Sequence, residues 1–180
     1  MSLAQTAIEL DVSRALEADM IVRYVLQLAL LGASGFFSGS ETALFSLSEV
    51  DLRRLRNERH PRAQTLHSLL DEPRKLIVSI LCGNELVNIA AIANMTGILV
   101  ALFGPADAGW ISIAVMLPLL LLLGEVTPKT IAVSNPSRVS AGIVAGPMSV
   151  WVRVVAPLRA VVRSMSDLVT TRLVGPERGR

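Results

Sequence analysis

Three long apolar runs divide this chain. Tyr24 to Ser40 carries no charge and continues past Glu41 through Thr42 to Leu47. Leu76 to Phe103 holds one formally charged residue, Glu85, and a third run from Ile111 to Gly124 extends through Glu125 to Val133. Each is long enough for the span of about 20 residues that a helix needs to cross a bilayer. The pattern predicts transmembrane helices at about residues 23–47, 76–103 and 110–134. Gly104 to Gly109 reads as the turn between the second and third, Trp110 takes an interfacial position, and Pro118 predicts a kink.

The intervening segments read differently. From Glu49 to Arg74, charged residues alternate with Leu52, Leu55, Leu66, Leu69 and Leu70, the spacing of amphipathic helices at a membrane surface. A solvated helical hairpin fits the same spacing. Asn135-Pro136 ends the third helix. Val139 to Val152 is apolar again, but Gly142, Gly146 and Pro147 favour a bent interfacial helix, a belt at about 137–157, over a fourth span. The expected class is an all-α membrane protein: an N-terminal outer segment (1–22), a transmembrane domain (23–157) and a connecting helix (158–180) with widely spaced arginines.

Composition agrees. The chain is 52% hydrophobic and 18% charged, with mean hydropathy +0.54, too apolar for an ordinary soluble domain of 180 residues. Its single cysteine, Cys82, excludes an intrachain disulfide and a cysteine-built metal cluster. No cleavable leader precedes the first run, and the terminal Gly-Pro-Glu-Arg-Gly-Arg reads as a cut inside a linker. Charge sets the orientation. Arg53, Arg54, Arg56, Arg59 and Arg62, joined by Arg74 and Lys75, mark the loop after the first span as cytoplasmic, whereas Gly104 to Gly109 has no basic residue. The N-terminus is therefore expected outside and the C-terminus inside. The arginines are read as a topology signal with attraction to anionic lipid, with no nucleic-acid partner. His60 and His67 in this segment are read as solvated side chains rather than ligands.

An ionised side chain in hydrocarbon costs on the order of 3 kcal/mol at a helix centre, so Glu41, Glu85 and Glu125 each require an explanation. Glu125 lies in Gly124-Glu125-Val126-Thr127-Pro128-Lys129, where Pro128 lacks the N–H that would bond the Gly124 carbonyl in a regular helix. A freed carbonyl beside a carboxylate supplies two hard oxygens for a cation; a plain proline kink with Glu125 paired to Lys129 is the alternative. Asn84 and Asn88, one turn apart, share a helix face and could offer two neutral oxygens or merely join helices by hydrogen bonds. Gly35-Phe36-Phe37-Ser38-Gly39-Ser40-Glu41 places small and hydroxyl residues in the first span, which permits close helix approach.

Taken together, Phe37-Ser38-Gly39-Ser40-Glu41-Thr42-Ala43, Gly83-Asn84 with Val87-Asn88, and Gly124-Glu125 with Pro128-Lys129 resemble the transmembrane domain of CNNM/CorC magnesium transporters, over about Leu31 to Val155. That resemblance implies a homodimer with three transmembrane helices and a juxtamembrane belt per subunit, and an inward-facing cavity for a largely dehydrated Mg²⁺. It implies Ser38, Asn84, Asn88, Gly124 and Glu125 as ligands, and Mg²⁺ export coupled to Na⁺, in a multi-pass cell membrane protein. Ser40, Glu41 and Glu85 are candidates for the cavity or a Na⁺ site; Glu41 could instead pair with a cytoplasmic arginine, and Glu85 departs from the small or neutral residue usual in the family. The nucleotide-binding CBS modules expected in the cytosolic part of a full-length relative have no counterpart in this sequence. A non-transporting Mg²⁺-sensing anchor is the rival function. An intramembrane enzyme is not expected, because neither histidine falls in a span with Ser38, Ser40 or Ser79.

Overall fold

A computed structural model of the chain describes residues 18–158 and 160. It is helical, with no strand among the described residues. Three stretches are long and apolar enough to cross a membrane: Ala18–Phe45, Pro73–Phe103 and Pro105–Ser134. The first two are single helices, α1 (Ala18–Phe45) and α4 (Pro73–Phe103). Between them α2 (Glu49–Asn57) and α3 (Ala63–Leu70) form a short hairpin. The third is composite: α5 (Pro105–Leu119), a π-helical segment (Leu120–Val126) and α6 (Thr127–Ser134). The expected segments 1–22 and 158–180 lie outside the described residues apart from 18–22, 158 and 160.

Each span starts earlier than its apolar run. Helix α1 takes in Asp19 and Arg23, paired at 3.2 Å, because an acid in the first turn meets the positive end of the helix dipole and an i,i+4 cation neutralises it. The turn expected over Gly104 to Gly109 contracts to Gly104 alone. Its φ of 83° and ψ of 168° belong to glycine, and Pro105 next to it supplies the fixed φ of a first helical residue. Asp107 then sits in the first turn of α5. At about 1.5 Å per residue, spans of 28 to 31 residues reach about 42 to 46 Å, beyond the hydrocarbon thickness.

The hairpin folds onto the protein. Ser48 and Asp51 close a capping box: the Asp51 N–H donates to Ser48 Oγ at 3.1 Å and the Ser48 N–H to Asp51 Oδ2 at 3.0 Å. The Ser48 hydroxyl, which donates to Asp51 Oδ2 at 2.6 Å, and the Ser48 N–H together hold the Asp51 carboxyl below its ordinary pKa. Leu55, Leu66 and Leu69 are buried in one core with Phe37, Leu44, Leu76, Ile80, Val144 and Met148, so these leucines face neighbouring helices rather than a lipid surface. The segment forms a two-helix hairpin whose leucine face the protein itself covers. Both its histidines have local partners: His60 Nδ1 accepts from the Arg62 N–H at 3.2 Å, and His67 Nδ1 lies 2.9 Å from Asp71.

After the third span the chain breaks at Asn135, whose side chain accepts from the Arg138 N–H at 3.3 Å. The segment that follows is helical, with a widened turn inside it. It consists of α7 (Pro136–Val139), a second π-helical segment (Ser140–Val144) and α8 (Ala145–Val154). The wide turn is held from the hairpin: the Arg62 guanidinium donates to the Ala141 carbonyl at 3.0 Å and to that of Gly142. On α8, Trp151 donates its indole N–H to the Ser79 carbonyl of α4 at 2.8 Å, and its ring lies 5.2 Å from that of Phe37 on α1. Phe37 in turn rests on Gly83 of α4.

That last contact is testable. A methyl carbon at Gly83 would lie 2.4 Å from Phe37 Cε1, and the ring cannot retreat because Trp151 backs it. Gly83→Ala is expected to destabilise the fold by about 1–3 kcal/mol, the range for overpacked cores. Thermal unfolding of the detergent-solubilised protein measures it, and an unchanged midpoint would show that the contact is not a constraint.

Candidate metal centre

The polar groups of α1 and α4 meet along one seam. Ser34 and Ser38 are one turn apart on α1, Asn84 and Asn88 one turn apart on α4, and the helices run antiparallel. Ser34 Oγ donates to Asn88 Oδ1 at 2.6 Å. One turn nearer the hairpin, the same register brings Ser38 level with Asn84. There the pairing stops. Ser38 Oγ and Asn84 Oδ1 are both buried with no hydrogen-bond partner. Ser38 is only 2% exposed, and a buried polar atom left unpaired costs about 1–3 kcal/mol. Two such oxygens at one level form a donor set that suits a hard cation.

The third span packs on α1 one turn away, at the Ser34–Asn88 level, through its π-helical segment. Gly124 is buried against α1, and a methyl carbon there would lie 2.7 Å from Ser34 Oγ. Gly35 is equally tight, since a methyl carbon on it would lie 3.0 Å from both the Leu123 carbonyl oxygen and Pro128 Cγ. The widened turn also changes the backbone accounting. The Thr127 N–H bonds the carbonyl of Leu122, five residues back rather than four. Pro128 has no N–H to offer the Leu123 carbonyl in that register or the Gly124 carbonyl in a regular one. Both carbonyls belong to the stretch packed on α1.

The acids separate into three environments. Glu125 is half-buried and, among the described residues, makes no ion pair within 4.0 Å. The alternative pairing with Lys129 does not form, because Lys129 Nζ turns to Glu41 Oε2 at 3.6 Å. Glu41 thus finds a lysine of the third span rather than an arginine of the hairpin. Glu85 is exposed on the surface of α4 beside the seam residue Asn84. Ser40, fully buried, donates to the carbonyl of Phe36 in its own helix at 2.6 Å. Among the described residues no group of three or more His, Cys, Asp or Glu could hold a metal, so any ion here meets mainly neutral oxygens.

Sequence reading missed Ser34, which holds Asn88 in place. Its signal was available, since Ser34 precedes Ser38 by one helical turn and so shares its face. Gln27 and Asn94 were also missed, although Gln27 is 5% exposed and accepts from Asn94 Nδ2 at 2.9 Å.

Residues 25–180 match the family described as the Cyclin M transmembrane N-terminal domain, CNNM. The chain belongs to the CNNM family. It is 38% identical over 107 residues to the UPF0053 inner membrane protein YfjD of Escherichia coli, covering 59% of this chain and 25% of that protein. A UPF0053 protein of Haemophilus influenzae is 36% identical over 117 residues, 65% of this chain and 28% of the relative. A chloroplastic DUF21 domain-containing protein of Arabidopsis thaliana is 36% identical over 137 residues, 76% of this chain and 20% of the relative. The CNNM domain described here thus spans a fifth to just over a quarter of the length of these relatives.

The unpaired oxygens give a test that needs no transport assay. Ser38→Ala removes a buried hydroxyl without a partner, so the ion-free protein is expected to keep or gain stability, by up to about 1–3 kcal/mol. Thermal unfolding in the presence of a chelator reads this. A lower midpoint would mean that the hydroxyl has a stabilising partner and that the site is not poised for an ion.

Proposed function

We propose that this CNNM domain carries Mg²⁺ across the cell membrane, exporting it in exchange for Na⁺ from a cavity that opens toward the cytoplasm. The observation that supports this reading is the pair of buried, unpartnered oxygens of Ser38 and Asn84, one helical turn from where Gly124 of the third span packs against Ser34 of α1. Asn88, held by Ser34, completes the oxygen set. Mg²⁺ takes about six oxygens in near-octahedral geometry and gives up water reluctantly. A set of neutral oxygens with one carboxylate binds it moderately, and moderate binding permits release. The Glu41–Lys129 pair cancels two charges on the hairpin side, so Glu125 supplies the net charge of the site. The membrane is read as the inner or plasma membrane, in keeping with the name of the Escherichia coli relative.

The arginine excess of the hairpin orients the domain with that side cytoplasmic and the Gly104 connection outside. The functional unit is a homodimer embedded in lipid, and the full-length protein carries cytosolic CBS modules. In it Mg²⁺ is a transported substrate, and no chemical step is catalysed.

Glu125→Ala is expected to abolish both Mg²⁺-dependent thermal stabilisation and Mg²⁺ flux in sealed proteoliposomes. For the unaltered protein, Mg²⁺ at 100 times its dissociation constant should add about 2.7 kcal/mol of stability. Unchanged flux in the variant would refute the assignment. Stabilisation without flux in the unaltered protein would favour the sensing anchor.

A further inference from the structure

The seam does not end at Asn88. Along α1 the inward-facing polar residues are Gln27, Ser34 and Ser38, and along α4 they are Asn84, Asn88 and Asn94. They fall on one face of each helix, so the antiparallel pair carries a ladder of matched levels: Ser38 with Asn84, Ser34 with Asn88, Gln27 with Asn94. Gln27 lies seven residues beyond Ser34, about 10 Å along the helix axis toward the Gly104 end. Beyond it, Thr96 Oγ1 and the buried Ser112 Oγ of α5 are 2.9 Å apart, and Asp19 with Arg23 stands at the end of α1.

One level of the ladder is apolar. Between the two polar halves lie Leu31, Ala91 and Met116, exposed by 7, 0 and 2%, with Leu30, Met95, Leu119 and Leu120 around them. Met116 touches the Gln27 side of this break, because the Gln27 amide Nε2 donates to its sulfur at 3.4 Å. A thioether is a weak acceptor, and a primary amide buried at membrane depth with one weak and one good partner is poorly served. Helix-joining hydrogen bonds explain the Gln27–Asn94 contact but not its alignment with the unpaired oxygens of the ion site.

We infer that the Gln27–Asn94 level is a second, transient station for the transported cation, and that Leu31, Ala91 and Met116 form the gate between it and the Ser38–Asn84–Glu125 site. The inference rests on the transport reading above and extends it to the far half of the path. At the second station the ligands are the Gln27 and Asn94 amide oxygens and the Arg23 carbonyl, which now accepts from Asn94 Nδ2 at 3.0 Å. These oxygens are all neutral, so the ion is held weakly and passes on. The gate is built from side chains suited to opening: Ala91 is small, and Met116 has three rotatable bonds. Closed, it denies the ion any oxygen over one level.

The double variant Gln27→Leu/Asn94→Leu removes both partners with apolar groups of similar size, which leaves little unpaired. In proteoliposomes its Mg²⁺ flux should fall at least tenfold, while the Mg²⁺-dependent thermal shift, set by the Ser38–Asn84–Glu125 site, stays at the level of the unaltered protein. Full flux with an intact shift would overturn the second station and leave the pair as a helix joint. A second variant reads the gate without disturbing the station. Leu31→Ser should raise Mg²⁺ leak in the absence of a Na⁺ gradient severalfold, again with the shift retained, and unchanged leak would overturn the gate. Failure of the unaltered protein to show any Mg²⁺ shift sinks the ion site itself, and both inferences with it.

Discussion

Inside a bilayer a polar group has no water to fall back on, and whatever it lacks must come from the protein. That requirement organises this domain. Most buried polar side chains have found a partner, and some are served within their own helix: Ser40 bonds the Phe36 carbonyl and Ser79 that of Lys75. Others reach across helices, as Ser34 does to Asn88 and Thr96 to Ser112. Against this background Ser38 Oγ and Asn84 Oδ1 stand unpaired at one level, and Ser140 Oγ of the second π-helical segment is unpaired elsewhere. Ser38 and Asn84 share a level because Ser34 and Asn88, one turn away, fix the register of α1 on α4, while the third span packs on α1 beside them through Gly35, Gly39 and Gly124.

The fold was largely legible in the chain. Apolar length locates three spans, and Asn135-Pro136 locates the break after the third. The ends were not legible, because a hydropathy reading stops at a charge while a helix accepts an acid in its first turn; Asp19 and Asp107 are such acids. The leucines of the hairpin gave its amphipathic face without saying what covers it. That depends on contacts between Leu55, Leu66 and Leu69 and residues as distant in sequence as Val144 and Met148.

The site was legible in kind and less so in detail. Serine, paired asparagines and a Gly-Glu-Pro stretch could be picked out; the α1–α4 register puts Ser38 level with Asn84, and Gly124 packs on α1 at Ser34, one turn away. Two details lay beyond reach. The π-helical segment widens the turn before the proline, so that the Thr127 N–H bonds the Leu122 carbonyl five residues back, and such a widening has no sequence signature. The partner of Glu41 was likewise a matter of three-dimensional proximity, since Lys129 is far along the chain.

The single-residue connection at Gly104 limits how the domain can change shape. With no slack between them, α4 and α5 are pinned together at that end like the two arms of a hairgrip, and they can splay apart only from the opposite side. Any widening near Gln27 is therefore a swing of α1 away from a fixed pair, so the mobility of one rod decides how much room exists there.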